Sequence, residues 1–547
     1  MSALLPNDPW QRKEQIAQLT GQYFDVLIIG GGAIGTGVFL DALSRGLKVA
    51  IVDKQDFTAG SSSHSSKMLE GGMQYYQQTL KKRDRYKTRL IRQALAERKS
   101  LLAMAPHLTE AVSIVRPIKG LTRITSHRRR LRRYEAIAKK QKQSLGASKL
   151  VGRKTLKALC PSLNMKSVFS GVTYVDGVFN DARYGLAMVR TGIEMGGSAL
   201  NYCQVDGLIR EAQQIIGVSC TDTQTGKSME IMAKSVLNCA GAWTDELRKL
   251  ADPQAKPILS YQLDTHIVLK ENLLPDGRGV LLTNKEDGSV NFMLPWLGQT
   301  LITGVHSDAT SAQTPSVSKH DVDRLLKAAN RHLAEPLTAD DVAAAWVGLR
   351  PVIEDPLAVD PEAVQRNYVV INDEGLITIA GGDWIRWRRM AEDGLDRLIN
   401  DYGLDAKMSG IDYITLAGAR GDLKDASNAM AKLPDDIKQH LWQNYGDRVP
   451  LVLECGTSER LIEGAPYIDA ELSYILTYEG AQTAEDVLAR RWRIAMINDA
   501  FAERLKPFVD AAIEQHQAKL QVQAEAEAKA KAEAELEAER LNNQADE

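Results

Sequence analysis

The stretch Phe24–Asp53, FDVLIIGGGAIGTGVFLDALSRGLKVAIVD, decides the fold. Phe24–Gly30 is a short β-branched run of the kind that fills a buried strand. Glycines follow at 30, 32 and 35, Val38–Arg45 has helical spacing, Gly46 stops the helix, and Leu47–Asp53 reads as a second strand. Strand, glycine turn, helix, strand is a βαβ unit on a parallel sheet. In that context Gly30, Gly32 and Gly35 permit a tight turn, a close approach of a pyrophosphate to the helix N-terminus, and close packing of helix on strand. Asp53 stands 18 residues after Gly35, where an acid meets a ribose hydroxyl. An acid there favours a dinucleotide without a 2′-phosphate, which leaves FAD and NAD.

Working outward, the chain has 547 residues, enough for two or three domains. With 44% hydrophobic and 25% charged residues it has the balance of an ordinary globular protein. Its 68 Lys and Arg against 70 Asp and Glu disfavour a partner held by bulk charge, nucleic acid included. Five cysteines without a C-x-x-C pair exclude a disulfide scaffold and a cysteine zinc site; no metal site is expected. A reducing compartment is the default, and the N-terminus has no secretory signal pattern. The most apolar run, Val26–Leu40, is broken by five glycines, so no transmembrane span is expected. The expectation is a cytoplasmic protein, with peripheral contact to the inner membrane left open.

Residues 1–22 read as a polar N-terminal arm and 23–400 as a discontinuous α/β region. Residues 401–508 read as an α-helical C-terminal domain. Residues 509–547 form a tail with alternating alanine and charge, exposed and partly helical or disordered. Residues 116–154 carry 14 Lys or Arg against one acid, Glu135. This basic segment reads as a solvated face or as a docking surface for an anionic membrane or a partner. Few aromatics interleave the cations, which weakens a nucleic-acid reading.

Small-residue sites recur after the βαβ unit: Gly60-Ser-Ser-Ser-His-Ser-Ser-Lys67, Ser235-Val-Leu-Asn-Cys-Ala-Gly-Ala-Trp243, Gly348-Leu-Arg-Pro351 and Gly381-Gly382. Ser62, Ser65, Ser66, Lys67, Gly241, Trp243, Gly348 and Gly382 are therefore candidate cofactor contacts beside Gly30, Gly32, Gly35 and Asp53. Scattered contacts of this kind suit a long cofactor threaded through one domain.

In these segments the sequence resembles the FAD-dependent glycerol-3-phosphate dehydrogenases, within the glycine oxidase-like flavoproteins. IIGGGAIGTG, SSHSSKMLEGGMQYY, ALAERKSLLAMAPHL, VDGVFNDAR, LNCAGAW, THIVL, LPWLGQTLITG, GLRP and IAGGDW carry the resemblance, and YGDR, APYIDAEL and TAEDVLARRWR extend it to the C-terminal domain. It covers roughly residues 22–505. The resemblance implies a Rossmann-like FAD-binding domain, a β-rich substrate or cap domain and an α-helical C-terminal domain. It implies oxidation of glycerol 3-phosphate to dihydroxyacetone phosphate by hydride transfer to FAD, a quinone pool as electron acceptor, and contact of the basic segment with a membrane surface; a homodimer is compatible with it. By position, His266 falls on the family's active-site histidine, Arg350 on its substrate-contacting arginine and Tyr75 on a tyrosine beside the substrate. Read from the residues alone, His266 is also a histidine packed in a core strand, Arg350 half of a structural ion pair, and Tyr75 a packing residue.

The substrate end departs from the family pattern. Glu70 stands for a histidine, Gln74 for an arginine and Leu263 for a lysine. Gly304-Val-His-Ser307 replaces Gly-Thr-Thr-Asp, and Gly381-Gly-Asp-Trp-Ile-Arg386 replaces Gly-Gly-Lys-Leu-Thr-Thr. A carboxylate beside a dianionic phosphate repels it, most strongly where water is scarce. His64, His306, Arg386 and Arg388 are the candidate replacement cations. The departures imply retained glycerol-3-phosphate oxidation, a changed alcohol or amine substrate, or an inactive flavoprotein scaffold that binds partners.

Overall fold

A computed structural model describes residues 10–72, 85–119, 124–140, 142–166, 168–283, 290–309, 311–312, 315–354, 368–421 and 423–545. Two sheets organise the chain, each covered by helices. The first has eight strands, ordered Tyr368–Asp373, Leu376–Gly381, Lys227–Asn238, Tyr23–Ile29, Val49–Val52 and Ser198–Leu200, with the hairpin Cys203–Glu211/Gln214–Asp222 joined to Lys227–Asn238. The five strands from Leu376–Gly381 to Ser198–Leu200 run parallel.

Period-two alternation sends the residues of Tyr23–Ile29 to opposite faces. Val26 and Ile28 meet helices Ala33–Ser44, Asp181–Glu194 and Trp387–Tyr402 through Val38, Phe39, Leu186, Val189, Met390 and Leu395. Leu27 and Ile29 pack on the other side with Val218, Ile231 and Val236. Burial on both faces is why the strand reads as a continuous apolar run. The arm is tied down from residue 10 onward: Trp10 Nε1 donates to Ala199 O at 3.1 Å, helix Arg12–Thr20 buries Leu19, and Arg12 pairs with Asp222 at 2.6 Å.

The second sheet has nine strands. Val342–Ile353, Leu259–Leu269, Gln299–Ala309, Val290–Trp296, Gly279–Thr283, Thr109–Lys119, Val168–Phe179 and Met68–Leu69 follow in that order, with Lys149–Gly152 also on Val168–Phe179. One face carries helices Arg85–Met104 and Ile124–Lys140 together with the C-terminal helices; Leu95, Leu131, Trp296, Trp346, Ile475, Val487 and Leu505 share one core there. Helices Arg153–Leu159 and Lys319–Asn330 cover the other face.

The basic segment resolves into a strand, a helix, a short strand and a helix. In Ile124–Lys140 the buried residues are His127, Leu131, Tyr134 and Ala138, one stripe at helical spacing. Arg128, Arg129, Arg132, Arg133, Lys139 and Lys140 stand exposed on the opposite side.

The tail differs from its expectation. One helix, Asp499–Ala545, runs straight through the expected boundary at 508, and Val509 and Ile513 are buried against the cap-sheet core. Apolar side chains that are too sparse to make a stripe over the whole tail still anchor its first turns. No helix among the described residues is long and apolar enough to cross a membrane.

Candidate active site

A cleft opens where the C-terminal ends of the parallel strands meet the second sheet. In open α/β sheets, ligands bind at this end. Ile29 and Gly30, Cys239–Trp243, Gly381–Ile385, the loop 58–66, Asp264 and Gly348–Pro351 line it.

At one end, backbone sterics set the shape. Gly30 has φ +106°, and a Cβ there would stand 2.5 Å from Cys239 O. A Cβ on Gly35 would stand 1.8 Å from Gly30 O. Only hydrogen fits at either position, so the helix starting at Ala33 lies directly against the strand and turns its first amides toward the cleft. Gly32 precedes that helix with no side-chain cap, and Ser62 Oγ accepts the Ala33 amide at 2.9 Å. Asp53 lines the cleft at the end of the second strand and accepts from the amides of Gly31 at 2.6 Å and Gln55 at 2.8 Å. Burial pushes its carboxyl up to about 6, against those two hydrogen bonds. Lys54 Nζ sits 3.9 Å over the ring of Trp243, which also lines the cleft.

Of the other expected cofactor contacts, Ser62, Ser65, Ser66, Gly241, Gly348 and Gly382 line the cleft. Lys67 does not. Its ammonium is buried behind the loop, 2.6 Å from Asp181 Oδ2 and 2.8 Å from Ser63 O, and lies 4.4 Å over the Trp346 ring. Arg493 Nη2 approaches the same carboxylate at 3.0 Å, and Ser65 Oγ donates to it at 2.7 Å. Burial pushes the Asp181 carboxyl up, but Lys67 and Arg493 outweigh it and hold it low. A second buried carboxylate, Asp56, accepts from Arg490 at 2.7 Å and from Arg491 at 3.1 Å. Arginines of the C-terminal region thus clamp both ends of the loop that borders the cleft.

At the other end, strand Leu259–Leu269 pairs with Val342–Ile353 and places Asp264 opposite Gly348 and His266 opposite Trp346. Arg350 lines the cleft, but its Nη2 is 2.6 Å from Asp264 Oδ2. Asp264 also pairs with His306. Burial pushes the Asp264 carboxyl up; Arg350 and His306 outweigh it and hold it down to about 2. Asp383 lines the cleft and pairs with Arg386 at 3.2 Å. Glu70 lines it as well.

His266 takes the place of a core residue. It is 1% exposed, does not line the cleft, and lies flat on Trp346 with ring centroids 4.1 Å apart. Among the described residues neither ring nitrogen has a hydrogen-bond partner, and burial pushes the imidazole down to about 3. Of the four candidate replacement cations, only His64 lines the cleft. His306 and Arg386 are engaged with carboxylates, and Arg388 pairs with Glu97 at 3.2 Å and with Asp412. Tyr75 and Gln74 lie outside the described residues.

Against known proteins, a family model of FAD dependent oxidoreductases matches residues 25–388, and the model of the C-terminal domain of alpha-glycerophosphate oxidase matches residues 377–519. The mitochondrial glycerol-3-phosphate dehydrogenase of Mus musculus is 33% identical over 522 residues, spanning 91% of this chain and 71% of that protein. That of Arabidopsis thaliana is 32% identical over 547 residues, spanning 94% and 86%. The chain belongs to the FAD-dependent glycerol-3-phosphate dehydrogenases. The crystal structure of the glycerol-3-phosphate dehydrogenase from Bacillus halodurans complexed with FAD superposes on this dehydrogenase with a TM-score of 0.74 at 26% identity, covering 93% of this chain and 96% of that one. The Rossmann-like region, the β-rich cap and the helical C-terminal region are those of the family.

The residues present in this dehydrogenase fit FAD. The glycine cradle has no room for a Cβ, helix amides face the cleft beside a buried acid, and a row of small residues continues to Gly348 and Gly382. Sequence reasoning missed Asp264, Asp181 and the arginines at 490, 491 and 493. Asp264 carried one available signal: it lies two residues before His266, on the same face of a strand.

Proposed function

We propose that this dehydrogenase oxidises the secondary hydroxyl of glycerol 3-phosphate to the ketone of dihydroxyacetone phosphate and delivers the electrons to a quinone. The carrying observation is a single cleft that runs from the glycine cradle to Arg350. FAD, when bound, accepts the hydride leaving the carbinol carbon. Gly30, Gly32, Ser62 and Asp53 would hold its dinucleotide portion, and Gly348 and Gly382 line the rest of the cleft. Arg350 supplies a guanidinium for the substrate's anion, and Asp264 fixes its direction through the 2.6 Å contact. Anaerobic addition of glycerol 3-phosphate should bleach the yellow holoenzyme; retention of the oxidised spectrum overturns the substrate assignment.

The carboxylates support a second reading. Asp264 already neutralises Arg350, and Glu70 and Asp383 add two more acids to the lining. A less anionic alcohol, or an amine, suits such a cleft better than a phosphate dianion. Bleaching by neutral polyols or secondary amines, with none by glycerol 3-phosphate, would select this reading.

The exposed face of helix Ile124–Lys140 suits a surface of anionic lipid. It offers four arginines and two lysines, each contributing about 1 kcal/mol near an anionic leaflet. Co-flotation with anionic vesicles that is lost in high salt tests it; equal flotation with neutral vesicles overturns the electrostatic account.

A further inference from the structure

Oxidising an alcohol needs a base able to reach its hydroxyl, and a base must come within hydrogen-bond distance of the proton it takes. The histidine expected in that role, His266, is buried, stacked on Trp346 and absent from the cleft lining. His64, by contrast, lines the cleft together with Gly348, Arg350 and Asp383. Its backbone is pressed against Gly348 of strand Val342–Ile353, where a Cβ would stand 2.5 Å from His64 O. Its ring lies edge-on to Trp346, centroids 6.0 Å apart.

Nδ1 of His64 is 2.9 Å from Gly60 O. Ser63 Oγ, 3.1 Å away, can accept or donate, but a carbonyl only accepts, so Nδ1 carries the hydrogen and the neutral ring presents its lone pair at Nε2. Nε2 makes no hydrogen bond among the described residues and is reached by solvent. Gly60, Ser61 and His64 also border a second cleft, walled by Thr483, Lys506 and Glu514.

We propose that His64 is the catalytic base of this enzyme, taking the substrate's hydroxyl proton on Nε2. The proposal rests on the reading of the cleft as the site of alcohol oxidation. The C–H bond breaks with its electron pair going to FAD. The O–H bond breaks with its pair forming the carbonyl, and the freed proton ends on Nε2. The imidazolium then gives that proton to water in the second cleft. Burial, with Lys67 and Arg493 behind the ring, pushes His64 down to about 4, against the Gly60 hydrogen bond and the Asp181 carboxylate. The ring is therefore neutral and ready as a base at pH 7, and it sheds a captured proton readily.

The test is anaerobic stopped-flow reduction of the holoenzyme by glycerol 3-phosphate in wild type, His64→Gln and His64→Ala. The FAD-to-protein ratio and far-ultraviolet circular dichroism should match across all three. Reduction should slow by about 10²–10⁴-fold in both variants, and imidazole should restore part of the His64→Ala rate. A His64→Gln rate within about threefold of wild type, a loss that imidazole leaves unchanged, or a larger loss in His266→Gln would each overturn the proposal. A separate measurement needs no substrate: diethyl pyrocarbonate treatment of the wild-type holoenzyme should carbethoxylate His64 and spare His266. An unlabelled His64 overturns the proposal whatever the substrate, whereas an unbleached wild type with labelled His64 counts against glycerol 3-phosphate alone.

Discussion

The two ends of the cleft are built from different materials. At the Gly30 end the shape is set by the absence of side chains: backbone meets backbone at distances that forbid a Cβ. At the Arg350 end it is set by charged side chains from three strands and a loop, Asp264, Arg350, His306 and Asp383, neutralised by one another or by Arg386. A steric cradle has few solutions. A charge network has many, and a few substitutions re-aim it while the fold stays intact.

The largest expected effect comes from filling the cradle. Gly35→Val puts carbon where Gly30 O already stands, 1.8 Å from the first added atom. The purified variant should be colourless, with a flavin-to-protein absorbance ratio near zero; a yellow variant would break the steric account of that end.

Next is the ion cluster behind the loop. Asp181→Ala leaves Lys67 and Arg493 buried without their counter-charge. Removing one partner of a buried pair costs about 3–5 kcal/mol, read as a lower urea midpoint together with faster FAD release. A midpoint equal to wild type would show that the cluster contributes nothing to the loop.

Smaller changes should follow at the Arg350 end. Asp264→Asn removes the charge that occupies Arg350, and Asp383→Lys puts a cation on the cleft wall. Each should lower the KM for glycerol 3-phosphate by about tenfold, the worth of one favourable charge contact of ~1.4 kcal/mol. An unchanged KM in both would mean that the anion is held elsewhere.

The smallest effect sharpens the comparison through pH. Burial raises Asp53 to about 6, and a ribose hydroxyl donates best to the ionised form. Protons therefore compete with FAD: affinity is full above about pH 6 and weakens by at most about tenfold per unit below it. Titration of apoenzyme with FAD at pH 7 and pH 5 reads the difference. Asp53→Asn should remove the slope, and a slope that persists in the variant assigns it to another group.

The same contrast explains what the sequence made legible. Gly30, Gly32, Gly35 and Asp53 act through local geometry, so their spacing within one βαβ unit was enough to find them. Ser62 was found as part of a small-residue loop, although its amide partner at Ala33 lies 29 residues away. Lys67, expected at the cofactor, lies off the cleft lining because its partner Asp181 arrives from another element, 114 residues on. His266 looked chemical by position. Only the pairing of its strand with Trp346 seals it away, and that pairing joins residues 80 apart. The C-terminal arginines were invisible as cofactor-site residues because Arg493 meets Asp181 across 312 residues.

That last contact sets an order of events during synthesis. Asp56 and Asp181 leave the ribosome early, whereas Arg490, Arg491 and Arg493 leave close to the end. Until then Asp56 waits for its two arginines, and Asp181 pairs with Lys67 but not yet with Arg493. A clipped chain lacking residues 490–493 would keep the glycines for FAD and the Lys67–Asp181 pair, but lose the arginines that hold the loop from the C-terminal side.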